Sequence, residues 1–500
     1  MTLLFTFLWL IYVCDGHVAD VSSCDSLPAS GFLTTQQIDM ICHHRSQWLK
    51  DRDEQASKGF LRETTAKQME YLRDIEQCTR TNCVRNSIRK VIPCHWGSRV
   101  SMIQVGRMKS QRADNRNQQL IGHESVNLHD MPVLGIPLFK RQSSKLLRKE
   151  IRMLSEEERK KLWAAMSGLK TRLVDNITAW DLHILVHYPD SAPGAHWGPA
   201  FLPWHREFLR QFEIALQREE PGVTLPYWDS TIDQGLPEPS DSVLWTDELL
   251  GNGNGYVKTG PFKDWDTNVF MPLSQIPVKK LFRSTGGREQ DRLLSPRDVE
   301  WITSRNNYSQ LTFCHDKTFE SMHGLSHVWV GGFMFVIRLL KVLHCRVSPN
   351  DPMFYMHHAF VDYLWEQFRR RSQTREERET QWAKDTCNSL HGFDEQMKPF
   401  RIQNRDGLSN QYTDEWLCWG AIAQVTKALK YAITPFVKRY LDVDLSVHHR
   451  LITVSSPYMI FACSRKIRSQ RQIAVLFNFY GEFIFDGKRI FKIEGLIMGI

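Results

Sequence analysis

Apolar residues fall at helical spacing over several separate stretches of the chain. Between Leu33 and Lys90 they recur among Gln, Glu, Arg and Lys in a way that predicts two amphipathic helices. Leu162, Trp163, Met166, Leu169 and Leu173 repeat similarly, and Ser155 stands three residues before Glu158 as a capping-box signature. A helix is therefore expected from about Glu156 to Leu173. Two more follow, over Ala179 to His187 and from near Leu202 to Gln217, with Pro189, Pro193 and Gly194 breaking the chain between them. Others are expected through His323 and His327 and from Asp351 to about Arg371. Asp233 to Arg292 is rich in Gly, Pro, Asn and Asp with little periodicity, which predicts a long irregular excursion over the surface. After Cys418 a helical stretch, AIAQVTKALKYAI, leads into alternating apolar runs. Among these, EFIFDGKRIFKI reads as a hairpin turning at Asp486-Gly487. The pattern is that of a mainly α protein with long irregular loops and a small tail in which strands are read.

Composition narrows the class. The 500 residues suffice for one large domain plus additions, and 64 basic against 56 acidic residues leave a net charge of only +8. The densest basic runs, from Lys140 and at Arg369-Arg370-Arg371, read as solvated helix faces, and no basic stripe coincides with a nucleic-acid module, so no nucleic-acid partner is expected. Met1 to Val13 is an apolar run too short to span a bilayer comfortably, and the small residues after it suit cleavage. Residues 1–16 are therefore read as a signal peptide, with a membrane anchor as the rival, and a secreted, extracellular protein without stable membrane association is expected. Cys24, Cys42, Cys78, Cys83 and Cys94 crowd into a leader taken as 17–145, which points to disulfides whose pairing the sequence leaves open. Asn176 and Asn307 lie in glycosylation triplets.

The chemistry lies in histidines. His187, His196 and His205 follow one another at gaps of nine, and His323 and His327, four apart, share a helical face ahead of His357 and His358. His183 pairs with His187 in the same way. Three neutral imidazoles hold one ion of the copper or zinc kind, whereas oxygen ligands suit calcium. Four inward-facing helices would make a bundle with the ligands in its core.

Through APGAHWGPAFLPWHREFL and PYWD on one side, and HGLSHVWVGGFM with SPNDPMFYMHHAFVDYLW on the other, the chain resembles the tyrosinase family of type-3 copper proteins. The resemblance covers about Arg148 to Thr413 and is stronger toward helminth and other invertebrate members. It implies a copper-binding domain at 146–416, a tail at 417–500, and a four-helix-bundle core holding two copper ions. His187, His196 and His205 would bind the first copper, and His323, His327 and His358 the second, with His358 preferred to His357 and His187 to His183. Asp362, one turn beyond His358, would hold a neighbouring imidazole in its ligating tautomer. Glu320 takes the position of a catalytic carboxylate that holds a water for deprotonating a monophenol.

The activity this implies is O2-dependent oxidation of catechols to o-quinones, with monophenol hydroxylation as an extension and melanin formation or protein tanning as the role. Three departures bear on it. Gly194 replaces the cysteine that some relatives crosslink to the second ligand, so Trp197 and Trp204 are the candidates for packing around His196. Gly324 stands where strong hydroxylases carry Asn or Asp. Roughly eight residues, about 338–345, look inserted between the second and third ligands of the second copper, which makes His344 a spurious ligand candidate. The rival readings are a haemocyanin-like O2-binding protein and an inactive member whose second site the insert disrupts. The tail is a candidate for the strand-rich domain that covers the site in some relatives.

Overall fold

The computed structural model describes residues 24, 27–58, 64–81, 145–267, 280–287, 291–335 and 345–420, together with the backbone of five strands between 452 and 492. The signal-peptide reading, most of the 338–345 insert and the helical stretch after Cys418 lie outside the described residues. No described helix is long and apolar enough to cross a membrane.

The leader forms two helices, α1 (Thr35–Lys58) and α2 (Ala66–Thr81). Each starts on a Thr-x-x-Gln box: Thr34 and Gln37 exchange backbone-to-side-chain hydrogen bonds at 3.0 and 3.2 Å, as do Thr65 and Gln68 at 3.1 and 3.3 Å. Strand β1 (Leu146–Arg148) opens the central region. Helix α3 (Glu156–Thr171) begins on the expected box, with Ser155 and Glu158 capping one another. The β2–β3 ladder (Leu173–Val174, Ile177–Thr178) turns the chain into α4 (Ala179–Val186), and α5 (Phe201–Glu219) crosses the core. After the short α6 (Ser230–Gln234) come β4 (Asn254–Tyr256), β5 (Phe282–Ser284), α7 (Pro296–Thr303), α8 (Thr318–Val330) and α9 (Met353–Ser372). Strand β6 (Leu417–Trp419) returns to pair in parallel with β1, joining the two ends of this region. Strands β7 (Ile452–Ser456), β8 (Met459–Ser464), β9 (Ile473–Asn478), β10 (Glu482–Phe485) and β11 (Lys488–Lys492) form an antiparallel sheet in chain order, and Phe485 pairs with Lys488, the two residues that flank the expected Asp486-Gly487 turn.

Helix α5 is buried along its length from Phe201 to Gln217, although it carries Arg206, Glu207, Arg210 and Glu213. Such charges are tolerated only when paired. Arg206 donates to Asp362 of α9 at 2.7 Å and to Glu366 at 3.1 Å, and its guanidinium lies 4.0 Å above the Trp365 ring. Arg148 bridges Glu213 and Asp362, and Arg369 donates to Glu366. Three arginines of the basic runs depart from the solvated faces expected of them, while Arg371 is exposed as expected. Arg148, Arg152 and Arg369 are all buried, because each meets carboxylates brought in by tertiary contact.

The stretch from Asp233 to Arg292 also departs from a surface excursion. β4 pairs with β5, and Leu244, Leu250, Phe262 and Leu281 are buried. Arg283, fully buried, makes a two-pronged ion pair with Asp351 at 2.7 and 2.8 Å, just ahead of α9. Disulfides join Cys24 to Cys42 and Cys314 to Cys387, and Cys78 and Cys418 are disulfide-bonded too.

Candidate metal centre

Two groups of histidine meet where α4, α5, α8 and α9 converge. His187 caps the C-terminus of α4, whose N-terminus is fixed by Thr178 accepting from the Asp181 N–H. His205 lies one turn into α5 and turns Nδ1 to the Phe201 carbonyl at 2.9 Å, which aims Nε2 inward. His196 belongs to no helix. Its Nε2 lies 3.2 Å from that of His187, and ligand atoms of His187, His196 and His205 all lie within 4.8 Å of one another.

In the second group His323 turns Nδ1 to the Glu320 carbonyl at 2.9 Å, and His327 turns its own to the Met334 carbonyl at 3.3 Å. Their Nε2 atoms are 3.0 Å apart. Both histidines of the His357-His358 pair reach this group. The Nε2 of His358 stands 3.1 and 3.3 Å from those of His327 and His323, whereas His357, also within 4.8 Å by a ring nitrogen, directs Nε2 to the His323 carbonyl at 3.2 Å. The 338–345 insert thus does not separate His358 from its neighbours. The groups face each other, with the His205 and His358 rings stacked at 4.3 Å and 9°.

Burial, reinforced by neighbouring imidazoles, holds His196, His205, His327 and His358 well below the usual histidine pKa, and burial brings His323 to about 4. These five imidazoles are therefore neutral, the ligating form. A first-row ion bound at about 2.0–2.1 Å in tetrahedral geometry sets its nitrogens about 3.3–3.4 Å apart, close to the spacings within each group. No thiolate is present among these donors, and the residues fit a pair of copper ions. His183 is buried against Phe212 and Phe208, apart from both groups.

The loop carrying His196 is held from outside. Trp197 adopts φ of 69°, a left-handed conformation that costs about 1–3 kcal/mol in a non-glycine residue and persists only where surroundings enforce it. Glu320 accepts the Trp197 N–H at 2.6 Å and also bonds the Gly198 N–H. Its carboxylate lies 3.6 Å from His196 Nδ1, and its second oxygen, Oε2, is buried without a protein partner. Burial raises the Glu320 carboxyl to about 8.

His391, which nothing local in the sequence singles out, is fully inside the protein behind this loop. Its Nδ1 accepts the Ala200 N–H at 3.3 Å, its ring also bonds the His196 carbonyl, and it packs so tightly on Gly198 that a Cβ there would stand 2.6 Å from the imidazole. At Gly194 a Cβ would lie 3.1 Å from the Leu390 carbonyl, so the same turn fills the space beside the missing cysteine. Tyr308 donates to the Pro199 carbonyl at 2.5 Å.

Two expectations about neighbouring residues change. Asp362 does not orient an imidazole: it is occupied by Arg206 and Arg148, because α9 turns that face toward α5. Trp197 does pack near His196, at 6.0 Å between ring centres, but Trp204 packs on His187 and His205 instead. Besides the histidines of its own group, the rings nearest His196 are Trp48 of the leader, at 4.6 Å, and Phe201, at 5.7 Å. A narrow cavity of about 30 Å³ remains at the centre, lined by Glu320, four of the histidines and three residues of α1, Ile41, His44 and Trp48. No periodicity could have placed them here.

Residues 177–371 match the family model described as the common central domain of tyrosinase. A tyrosinase-like protein of Caenorhabditis elegans, tyr-3, is 40% identical over 290 residues, which cover 56% of this chain and 39% of that protein. Tyrosinase-like protein 1 of Margaritifera margaritifera is 33% identical over 293 residues, 55% of each chain. The tyrosinase of Streptomyces antibioticus is 31% identical over 245 residues, 45% of this chain and 83% of the bacterial protein. The chain thus spans two-fifths to about half of the two animal relatives. With a bacterial tyrosinase matched over most of its length and two triads of buried histidine able to hold a type-3 dicopper centre, this chain belongs to the tyrosinase family.

Proposed function

We propose that this protein oxidises catechols to o-quinones with O2 at the two facing histidine groups. The observation that supports this most directly is the pairing of two buried imidazole triads across a 4.3 Å stack of His205 on His358. In this reading His187, His196 and His205 hold one copper, and His323, His327 and His358 the other. His358 is preferred because its Nε2 lies with the other two, while His357 is engaged by a carbonyl. When bound, the copper pair supplies two-electron redox chemistry with O2 as oxidant.

The protein's own residues do the rest. Nδ1–H donation to carbonyls fixes the rings of His205, His323 and His327, so the ligating nitrogens are set before an ion arrives. A catechol gives up two electrons and two protons in becoming a quinone. Glu320, which lines the cavity and whose Oε2 is unpartnered, is in its ionised form the residue placed to accept a proton, directly or through one water. Gly324 offers no side chain to help hold that water, which favours diphenol oxidation over monophenol hydroxylation. Secretion is supported by the disulfides, which persist in oxidising compartments. A quinone released outside the cell would crosslink protein or polymerise to pigment.

The deciding experiment is copper content per chain together with O2 uptake on catechol and on the matching monophenol. Two coppers with catechol turnover, and a long lag on the monophenol, is the expected result. Two coppers with reversible O2 binding and no turnover would make the protein an oxygen carrier. One copper or none would make it a non-catalytic relative.

A further inference from the structure

Trp48 of the leader lies 148 residues before His196 in sequence, yet its helix forms the roof of the centre. Gln37, Ile41, Arg45 and Trp48 are buried along one face of α1, at spacings of four, four and three, and Ile41 and Trp48 of this face line the cavity beside the histidines. The Trp48 indole stands edge-on to His196 at 4.6 Å and 72°, and 5.9 Å from His187. His44 packs on Phe335 at 4.4 Å. Ile41 reaches Gly324 so closely that a Cβ there would lie 3.1 Å from its Cδ1, so the glycine that departs from the hydroxylase pattern is also what admits the leader.

The approach to this roof is fastened to α1 itself and to the start of α8. Cys24 is tied to Cys42 within α1, the Cys24 carbonyl accepts from Lys317 at 2.7 Å, and the Pro28 carbonyl accepts the Lys317 N–H at 3.0 Å. Ser30 bonds Thr318 and Asp316 at 2.8 and 2.7 Å, at the start of the helix that carries His323. What remains beneath is the cavity of about 30 Å³. A benzene-sized ligand needs about 150 Å³, and about 30 Å³ is room for a water or two.

We propose that α1 is a built-in stopper: Trp48 occupies the place of an aromatic substrate, so the folded chain is latent until α1 moves away. This rests on the reading of the centre as a phenol oxidase. Because Cys24–Cys42 ties the approach to α1 onto the helix itself, the stopper leaves as a unit.

The test uses the full-length, copper-loaded protein and two variants, W48G and the double variant Cys24→Ser/Cys42→Ser, which loosens the fastening without touching the centre. Copper per chain, catechol turnover and affinity for benzoate, an aromatic acid that is not oxidised, are measured on all three. Both variants are expected to keep the parent's copper and to turn over catechol and bind benzoate about ten- to a hundredfold better, the factor by which losing one large buried apolar group loosens a closed state. Equal turnover and equal benzoate binding in parent and variants would overturn the stopper. Slower turnover in both variants would also overturn it, making α1 a wall of the substrate site. Tighter benzoate binding with no turnover in any form would keep the stopper and sink the oxidase reading. If W48G fails to fold, the double variant carries the same decision.

Discussion

The two histidine groups are built by different means. His323 and His327 are four apart on α8, and His358 lies on α9, so helix geometry alone presents this group. The other group takes one residue from the end of α4, one from α5 and one, His196, from a loop with a left-handed residue beside it. That loop is held by Glu320, Tyr308 and His391, which come from three other places in the chain. A helical ligand set carries its own order, while a loop ligand borrows order from residues that never touch the metal. The first copper should therefore be the more easily lost when support is removed, and the second when a helix is.

The largest effect is expected where both groups share a foundation. Asp362→Ala leaves Arg206 and Arg148 buried and short of a partner, and such a break costs about 3–5 kcal/mol. Arg206 adjoins His205, and Asp362 is one turn from His358, so both coppers should go together as the denaturation midpoint falls. Loss of only one copper would show that α5 and α9 are fastened independently.

Next come the adjacent histidines of α9. His358→Ala should reduce copper from two per chain to one, while His357→Ala should keep both and cost about 1–3 kcal/mol for the lost hydrogen bond to the His323 carbonyl. Copper analysis on the two variants reads the assignment directly. The opposite pattern would move the ligand to His357 and undo the helical simplicity of the second group.

Glu320→Ala tests the loop from the α8 side. It removes the acceptor of the Trp197 N–H and should weaken the first copper by about 100-fold, the upper end for groups that orient ligands, with the second nearly unchanged. A copper titration resolving two classes of site would show it. Equal weakening of both classes would mean that Glu320 acts through α8 rather than through the loop.

How far the sequence reveals all this follows the same division. The box at Ser155 and Glu158 marks the start of α3, and the four-residue spacing of His323 and His327 marks a shared face, because both are set within a few residues. The burial of Arg148 is not visible in this way, since its partners Glu213 and Asp362 are 65 and 214 residues distant. A basic run read alone looks solvated, and only tertiary contact makes it a core ion pair. Trp48 and Glu320's hold on the Trp197 backbone are hidden for the same reason: each depends on a contact more than a hundred residues long. The first group is legible as three histidines at gaps of nine and through resemblance, and the second through helical periodicity as well.

The smallest effect, and the sharpest on the loop, belongs to His391. Burial keeps its imidazole neutral, with a pKa of about 3, so it can accept the Ala200 N–H at one nitrogen and donate to the His196 carbonyl from the other. His391→Ala leaves both backbone groups without a partner and opens space beside Gly198, where the ring now packs. The expected result is about tenfold weaker binding of the first copper with the second unchanged, the lower end for an orienting group. Glutamine offers one acceptor and one donor on a side chain of similar reach, so His391→Gln should recover most of the affinity. A purely space-filling role would give the opposite order, with His391→Phe recovering copper and His391→Gln failing to. If the alanine variant binds both coppers like the parent, the loop holds His196 without His391, and the contrast between a borrowed and an intrinsic order narrows to Glu320 and Tyr308.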